Sequence, residues 1–156
     1  MVPLLRSRDV FKHILLPTDG SPIANKAVKA GIRFAREIGA EVTAYQAIGT
    51  LLTHIDDEGY VIDPKIHDEF ERSAREAAER RLEAIGKLAK TAGVPFTASV
   101  TMVDTPHKGI INAARKHKCD VIFMASHGRR GVASLLLGSV TQKVLTHCKI
   151  PVLVYR

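Results

Sequence analysis

Tryptophan is absent from this 156-residue chain, aromatic residues make up 5% of it, and only two cysteines occur. No apolar run approaches the ~20 residues of a membrane-spanning helix, so we expect no membrane insertion. Cys119 and Cys148 form neither a C-x-x-C motif nor a disulfide framework, which indicates core thiols in a reducing compartment. Residues 1–8 lack the apolar stretch of a secretion signal, so we expect a cytoplasmic protein.

Metal-binding patterns are also missing. The seven histidines never form H-E-x-x-H or a comparable spacing. His54 lies close to Asp56 and Asp57 in the sequence, and we interpret this group as a solvated loop rather than a metal site. We therefore expect no protein-bound metal.

The formal net charge is +7 and the isoelectric point is about 9.6. A basic chain can attract nucleic acid, but acids alternate with bases in the longest predicted helix, and no aromatic RNA-binding motif is present. We therefore do not expect nucleic acid as a partner. Small anions such as ATP are attracted equally well by this charge.

A length of 156 residues predicts a single domain over residues 1–156, and hydrophobic periodicity predicts an α/β protein. Ser21 and Pro22 mark a helix start, and Gly39 marks its end. The predicted strands are 12–17, 42–48, 96–103, 121–125 and 151–155, and the predicted helices are 22–38, 64–92, 105–118 and 139–147. Residues 49–63 form a long irregular segment. The longest helix places these apolar residues on one face: Phe70, Ala74, Ala77, Ala78, Leu82, Ile85 and Leu88.

Apolar strands joined by helical crossovers form a parallel sheet covered on both faces. The simplest topology gives the strand order 3-2-1-4-5. Ligands of such sheets bind past the carboxyl ends of the strands, where the winding direction reverses. The ends of strand 1, at Asp19, and of strand 4, at Ser126, then lie side by side.

An anion site is indicated between strand 4 and the last helix. Ser126-His127-Gly128 follows strand 4, and Gly138-Ser139 precedes the helix, whose first N–H groups are unpaired and partly positive. Ser139 and Gln142 have the S-x-x-Q spacing of a capping box, so the serine could serve only as an N-cap. His127 is the one candidate acid or base in this loop, and we favour a structural role for it.

Asp19 supplies the opposite side of the predicted crevice. Its carboxylate can accept hydrogen bonds from a sugar hydroxyl or an adenine amino group. The alternative is that Asp19 only caps the first helix. The residues alone leave both readings open.

The chain resembles the universal stress protein family over nearly its whole length, from Phe11 to Arg156. The strongest matches are Ile14-Leu15-Leu16-Pro17-Thr18-Asp19-Gly20-Ser21, Leu136-Leu137-Gly138-Ser139 and Ile150-Pro151-Val152-Leu153-Val154. The nucleotide-binding branch of the family carries G-x2-G-x9-G-[ST]. Gly128, Gly138 and Ser139 fit this motif, whereas Ala125 replaces its first glycine.

The resemblance implies a Rossmann-like five-stranded fold, a stress-response role and a homodimer formed through strand 5 at residues 151–155. It also implies an adenine nucleotide, ATP, ADP or AMP, with Mg²⁺ or Mn²⁺ held through the phosphates. The binding residues carried over are Pro17, Thr18, Asp19, Ala47, Met124, Ala125, Gly128, Gly138, Ser139, Val140 and Thr141. Arg129 and Arg130 could add charge or remain solvated.

Two alternatives stay open for the function. One is a stress-protein dimer that has lost its nucleotide through Ala125. The other is a weak ATP hydrolase, although the sequence shows no G-x-x-x-x-G-K-[ST] motif and no acidic cluster for a catalytic metal. We expect a binding protein rather than an enzyme.

Overall fold

The structure is a computed structural model, and it describes residues 10–50, 63–129 and 137–156. Within these ranges, strands and helices alternate along the chain. In order they are β1 (His13–Pro17), α1 (Pro22–Ile38), β2 (Glu41–Ile48), α2 (Pro64–Thr91), β3 (Phe96–Met102), α3 (Pro106–Lys116), β4 (Val121–Ala125), α4 (Ser139–His147) and β5 (Val152–Tyr155). None of the described helices combines the length and apolar character needed to cross a membrane.

The five strands form one parallel sheet in the order β3-β2-β1-β4-β5, which confirms the predicted topology. Ile14 pairs with Val42 on one side and with Val121 on the other. β1 therefore lies between the two halves of the sheet. The carboxyl ends of β1 and β4 are neighbours, as the crevice prediction requires.

Two cores cover the faces of the sheet. α1 and α2 pack on one face around Leu16, Phe123 and Leu82, while α3 and α4 pack on the other around Leu15 and Met124. Successive residues of a strand point to opposite faces, so neighbours such as Leu15 and Leu16 enter different cores. This explains why the central strands are apolar throughout.

Helix α1 begins and ends where its local signals predict. Ser21 Oγ accepts a hydrogen bond from Ala24 N at 3.3 Å, and Pro22 occupies the first turn, where no N–H is needed. Gly39 ends the helix with φ of 73°, a left-handed conformation that glycine adopts without steric cost.

The apolar face predicted for α2 is partly wrong. Phe70 and Leu88 are 44% and 45% exposed, and the buried residues are Ala78, Leu82, Ile85 and Ala89. A helix of 28 residues is about 42 Å long, whereas β3 with 7 residues spans about 23 Å. The first turns of α2 therefore extend past the sheet, and Ala89 rather than Leu88 faces the core.

Candidate functional site

A carboxylate links the two halves of the sheet at the carboxyl ends of β1 and β4. Asp19 follows β1, and its Oδ2 accepts a hydrogen bond from the backbone N–H of Arg129, in the loop after β4, at 2.8 Å. Its Oδ1 accepts from Ser21 N at 2.9 Å. The structure thus brings the two predicted sides of the site into direct contact.

Asp19 does not cap α1, because Ser21 is the N-cap. Burial alone would raise the pKa of Asp19, but the hydrogen bonds from Ser21 and Arg129, together with the charge of Arg129, bring the pKa below its usual value. A carboxylate offers about four acceptor positions, and the backbone uses two of them. Asp19 is therefore ionised and can accept further donors from a ligand.

Two glycines let the loop backbones approach closely. A Cβ on Gly128 would lie 2.6 Å from Asp19 Oδ2, and a Cβ on Gly138 would lie 3.3 Å from both His127 Cα and Ser126 O. Gly138 N donates to Ser126 O at 2.7 Å. With φ of −71°, Gly138 has an ordinary backbone conformation, so the available space favours glycine there.

The N-terminus of α4 is not capped as a capping box would predict. The N-cap residue is Gly138, no side-chain hydrogen bond caps it, and Ser139 is already the first helical residue. The side chain of Gln142 instead donates to Leu137 O at 3.5 Å. The backbone N–H groups of Ser139 and Val140 thus begin a helix that no side chain of the described residues caps.

Thr141 has a structural contact on the inner side of the same turn. It is buried, and its Oγ1 donates to Ala125 O at 3.0 Å. This bond fixes the first turn of α4 against the end of β4. The helix N-terminus is therefore held beside the carboxyl end of β4 by the last residue of that strand.

Ala125, the departure from the motif, is the last residue of β4 and is buried. Among the described residues, Lys118 is the only non-glycine residue with positive φ, so Ala125 is not strained. Its side chain belongs to the core beneath α1 and α2, whereas α4 lies on the other face. The methyl group fills this core and does not point toward the α4 side of the sheet.

The remaining predicted residues lie at the strand ends. Pro17 ends β1, and Thr18 is buried, with its N–H donating to Tyr45 O at 2.9 Å. Met124 and Ala47 contact the core on the α3–α4 side. The structure therefore places these residues on β1, β2 and β4 or directly after β1, all near the carboxyl edge of the sheet.

Sequence reasoning missed Arg81 and Gln46. Arg81 Nη1 donates to Gln46 Oε1 at 2.7 Å, and the guanidinium lies where a Cβ on Gly20 would be. This contact joins α2 to the ends of β1 and β2. The positive φ of Gly20, 77°, is consistent with a glycine turn, but no sequence spacing pairs it with residue 81.

Several other candidate residues lie outside the described ranges, and the described ones do not form a metal site. His54, Asp56, Asp57 and Arg130 lie outside the described residues. His127 Nδ1 lies 2.8 Å from Ser126 Oγ. Within the described ranges, no three His, Cys, Asp or Glu side chains are grouped as metal ligands.

Known proteins are similar to this chain in sequence and in fold. The profile of the universal stress protein family matches residues 11–156. Universal stress protein MJ0531 of Methanocaldococcus jannaschii is 30% identical over 149 residues, which cover 95% of this chain and 84% of that protein. A universal stress protein of Thermus aquaticus is 31% identical over 147 residues, with coverages of 94% and 100%.

Solved structures agree with the sequence comparisons. The structure of MJ0577 has a TM-score of 0.77 and 30% identity, and the match covers 93% of this chain and 95% of that one. MJ0577 is itself named as a universal stress protein of Methanocaldococcus jannaschii. The chain therefore belongs to the universal stress protein family.

Proposed function

We propose that this protein binds an adenine nucleotide, ATP, ADP or AMP, at the carboxyl ends of β1 and β4, and that binding serves a regulatory role in the cytoplasmic stress response. The observation that carries the proposal is the N-terminus of α4. No side chain of the described residues caps it, and the ionised Asp19 lies at the neighbouring strand end, where it accepts a hydrogen bond from the backbone N–H of Arg129. The phosphates of a nucleotide would bind at the helix N-terminus, and its ribose hydroxyls or adenine amino group would donate hydrogen bonds to Asp19.

The phosphates would bind at α4. The N–H groups of Ser139, Val140 and Thr141 begin the helix, where the backbone carries a partial positive charge. The absence of a Cβ at Gly128 leaves room for the Asp19 carboxylate, and its absence at Gly138 leaves room for the backbone of residues 126–127. Mg²⁺ or Mn²⁺ would be held through the phosphates.

The sugar and base would bind at β1 and β2. Asp19 would accept hydrogen bonds from ribose hydroxyls, and Pro17, Thr18, Ala47 and Met124 would line the pocket with Ala125 at its edge. Two solved universal stress proteins of the same fold support an adenine nucleotide as the ligand. One, 20% identical with a TM-score of 0.66, is a complex with cAMP. The other, from Archaeoglobus fulgidus, 17% identical with a TM-score of 0.61, is a complex with dAMP.

A homodimer formed through β5 completes the proposal. All four residues of β5 are half-buried, and β5 is an edge of the sheet. An apolar edge strand without charged residues readily pairs with another strand. A second copy of β5 in antiparallel orientation fits this edge.

Thermal unfolding with added nucleotide tests the binding. ATP, ADP or AMP at millimolar concentration should raise the midpoint, since a ligand at a hundredfold excess over its Kd stabilises the fold by about 2.7 kcal/mol. The double variant Gly138→Val with Ser139→Ala should lose this shift. Thr146→Ala removes a hydroxyl at the other end of α4 and should keep it.

The unliganded midpoints show whether each variant folds. No shift with any of the three nucleotides would contradict the proposal and favour a nucleotide-free dimer. An equal shift in the double variant would place the nucleotide elsewhere. Phosphate release that is equal in the parent and in a folded double variant would identify hydrolysis as contamination.

A further inference from the structure

Net positive charge is concentrated in the last third of the chain, because this part contains almost no acids. From Thr105 to Arg156 there are nine lysines and arginines but one acid, Asp120. The Asp120 carboxylate accepts hydrogen bonds from Lys12 N at 2.8 Å and His13 N at 3.1 Å, so it is engaged at the amino end of β1. The surface of the two C-terminal helices therefore lacks acids of its own.

The exposed bases of this region form what we call the α3–α4 face. α3 and α4 pack on the same side of the sheet, and the rings of His107 and His147 lie 5.4 Å apart between their centroids. The face is defined by these exposed residues: Lys108, Arg115, Lys116, Lys118, Lys143 and Lys149.

Charge on α2 is arranged differently. Its acids alternate with bases and form i,i+4 pairs, Glu76 with Arg80 at 3.8 Å and Glu83 with Lys87 at 3.0 Å. The alternation of acidic and basic residues, on which the sequence argument against nucleic acid rests, is thus a property of α2 alone among α2, α3 and α4. Neither α3 nor α4 contains an acid.

The pKa of the buried His107, which lies between the two helices, is lowered by its burial and by the unbalanced positive charge around it. Burial lowers the pKa of His107, and the neighbouring basic side chains of His147, Lys143 and Lys108 lower it further. No acid contributes in the opposite direction. A polyanion on this face would supply the missing negative charge.

We propose that the α3–α4 face binds the sugar-phosphate backbone of double-stranded nucleic acid, through charge and without reading the base sequence. This proposal is independent of the nucleotide site. Lys108 and Arg115 are separated by about 10 Å along the helix axis. One DNA strand carries about three phosphates over that distance.

Other polyanionic partners fit the face less well. Protein interfaces are centred on buried aromatic and apolar anchors, and membrane-surface helices insert an apolar face. On the described part of this face, Leu145 is the only exposed large apolar residue. Binding of single strands uses aromatic platforms, but α3 and α4 contain no Phe, Tyr or Trp. Asn112 adds an uncharged donor suited to phosphate.

Fluorescence anisotropy with a fluorescein-labelled 20-base-pair DNA of mixed sequence tests the proposal on the full chain. We expect a micromolar Kd at 50 mM KCl and a loss of about a hundredfold at 200 mM, as about four phosphate contacts would give. A duplex of scrambled sequence should bind equally well.

Charge reversals identify the face. Arg115→Glu, Lys116→Glu and Lys143→Glu together should weaken binding at least tenfold. The matched control reverses three exposed bases of α1, Lys26→Glu, Lys29→Glu and Arg33→Glu, with the same change in net charge, and should stay within twofold of the parent. Circular dichroism verifies folding. Glutamine at the same three α3–α4 positions replaces glutamate if the reversal does not fold.

Four results would overturn the proposal. They are no binding at 50 mM KCl, equal losses in both triple variants, a greater than tenfold preference between the two duplexes, and stronger competition by poly-L-glutamate than by unlabelled DNA. The second would mean that net charge alone is responsible. The last would identify an acidic protein surface as the partner.

Discussion

At the scale of single residues, Ala125 shows how the meaning of a motif depends on backbone geometry. From the motif alone, an alanine in place of glycine would cost roughly 1–2 kcal/mol if the position needed positive φ. The residue ends a regular strand, and its methyl group packs in the core beneath α1 and α2. The methyl group that distinguishes alanine from glycine at this position therefore lies on the α1–α2 side of β4, away from α4.

Ala125→Gly should therefore destabilise the protein without improving nucleotide binding. Loss of a buried methyl and the greater freedom of glycine in the unfolded chain predict a cost of about 1–2 kcal/mol. Urea unfolding measures that cost, and titration calorimetry with ATP should give a Kd within about twofold of the parent. A tenfold gain in affinity would show that the methyl group obstructs the phosphates.

Asp19 links stability to pH through its lowered pKa. Asp19→Asn should reduce stability at pH 7 by about 1–2 kcal/mol, since hydrogen bonds to an ionised group are stronger than those to a neutral one. The native pKa lies below the unfolded value of about 3.9. The contribution of Asp19 is therefore complete above about pH 4 and is lost as the pH falls through its native pKa.

Urea unfolding of parent and variant at pH 7, 5 and 3 should show the difference shrinking at the lowest pH. Asp68→Asn is the control, because that side chain is 84% exposed and should change stability little at any of these values. A constant difference across the range would mean that the charge of Asp19 contributes nothing.

At the scale of elements, local signals predicted what local geometry determines. Ser21, Pro22 and Gly39 bound α1 as expected, since caps act within a few residues. The S-x-x-Q pattern at Ser139 failed because α4 takes Gly138 as its N-cap, which shifts the pattern by one residue. A capping box requires the serine itself at the N-cap.

Contacts distant in sequence could not be predicted. Arg81 and Gln46 are 35 positions apart, and their bond depends on how α2 crosses β2. The exposure of Phe70 likewise follows from α2 being longer than the sheet it covers. Periodicity gives the face of a helix but not where its partner surface ends.

Packing of α3 on β2 depends on a missing side chain. A Cβ on Gly109 would overlap Tyr45 Oη and come within 3.0 Å of Val103 Cγ2. Tyr45 is fully buried, and its hydroxyl lies 2.5 Å from Thr101 Oγ1. Gly109→Ala should therefore destabilise by about 1–3 kcal/mol, despite the higher helix propensity of alanine.

Tyr45→Phe should partly rescue Gly109→Ala, because it removes the overlapping oxygen. The unfolding free energies of the two single variants and the double variant form a cycle, and the double variant should lose less than the sum of the singles. Additive losses would show that Val103 or the helix backbone, rather than the hydroxyl, opposes the added methyl.

At the scale of the whole molecule, the strand order followed from sequence because crossovers between parallel strands are short and right-handed. Local patterns locate the crevice once that order is known. Surface charge was harder to interpret. The alternating charges of α2 dominate the sequence, whereas the sheet places α3 and α4 together on the opposite face.

The free side of β5 is a feature of the whole sheet, since only the strand order makes β5 an edge. Ser126 N donates to Tyr155 O at 2.7 Å, and Ile122 N donates to Pro151 O at 2.9 Å. Backbone groups of alternate residues point to opposite sides of a strand. The N–H and C=O groups of Val152 and Val154 therefore point away from β4, toward the proposed second copy.

Val154→Pro should convert the proposed dimer to a monomer without unfolding it. Proline removes an outward N–H, and edge positions of this kind tolerate proline. Light scattering of the parent at micromolar concentration should give twice the chain mass of 17.1 kDa, and the variant should give a single chain mass. Val154→Thr keeps the N–H and should remain a dimer. A monomeric parent would contradict the dimer, and a dimeric Val154→Pro variant would place its interface on another surface.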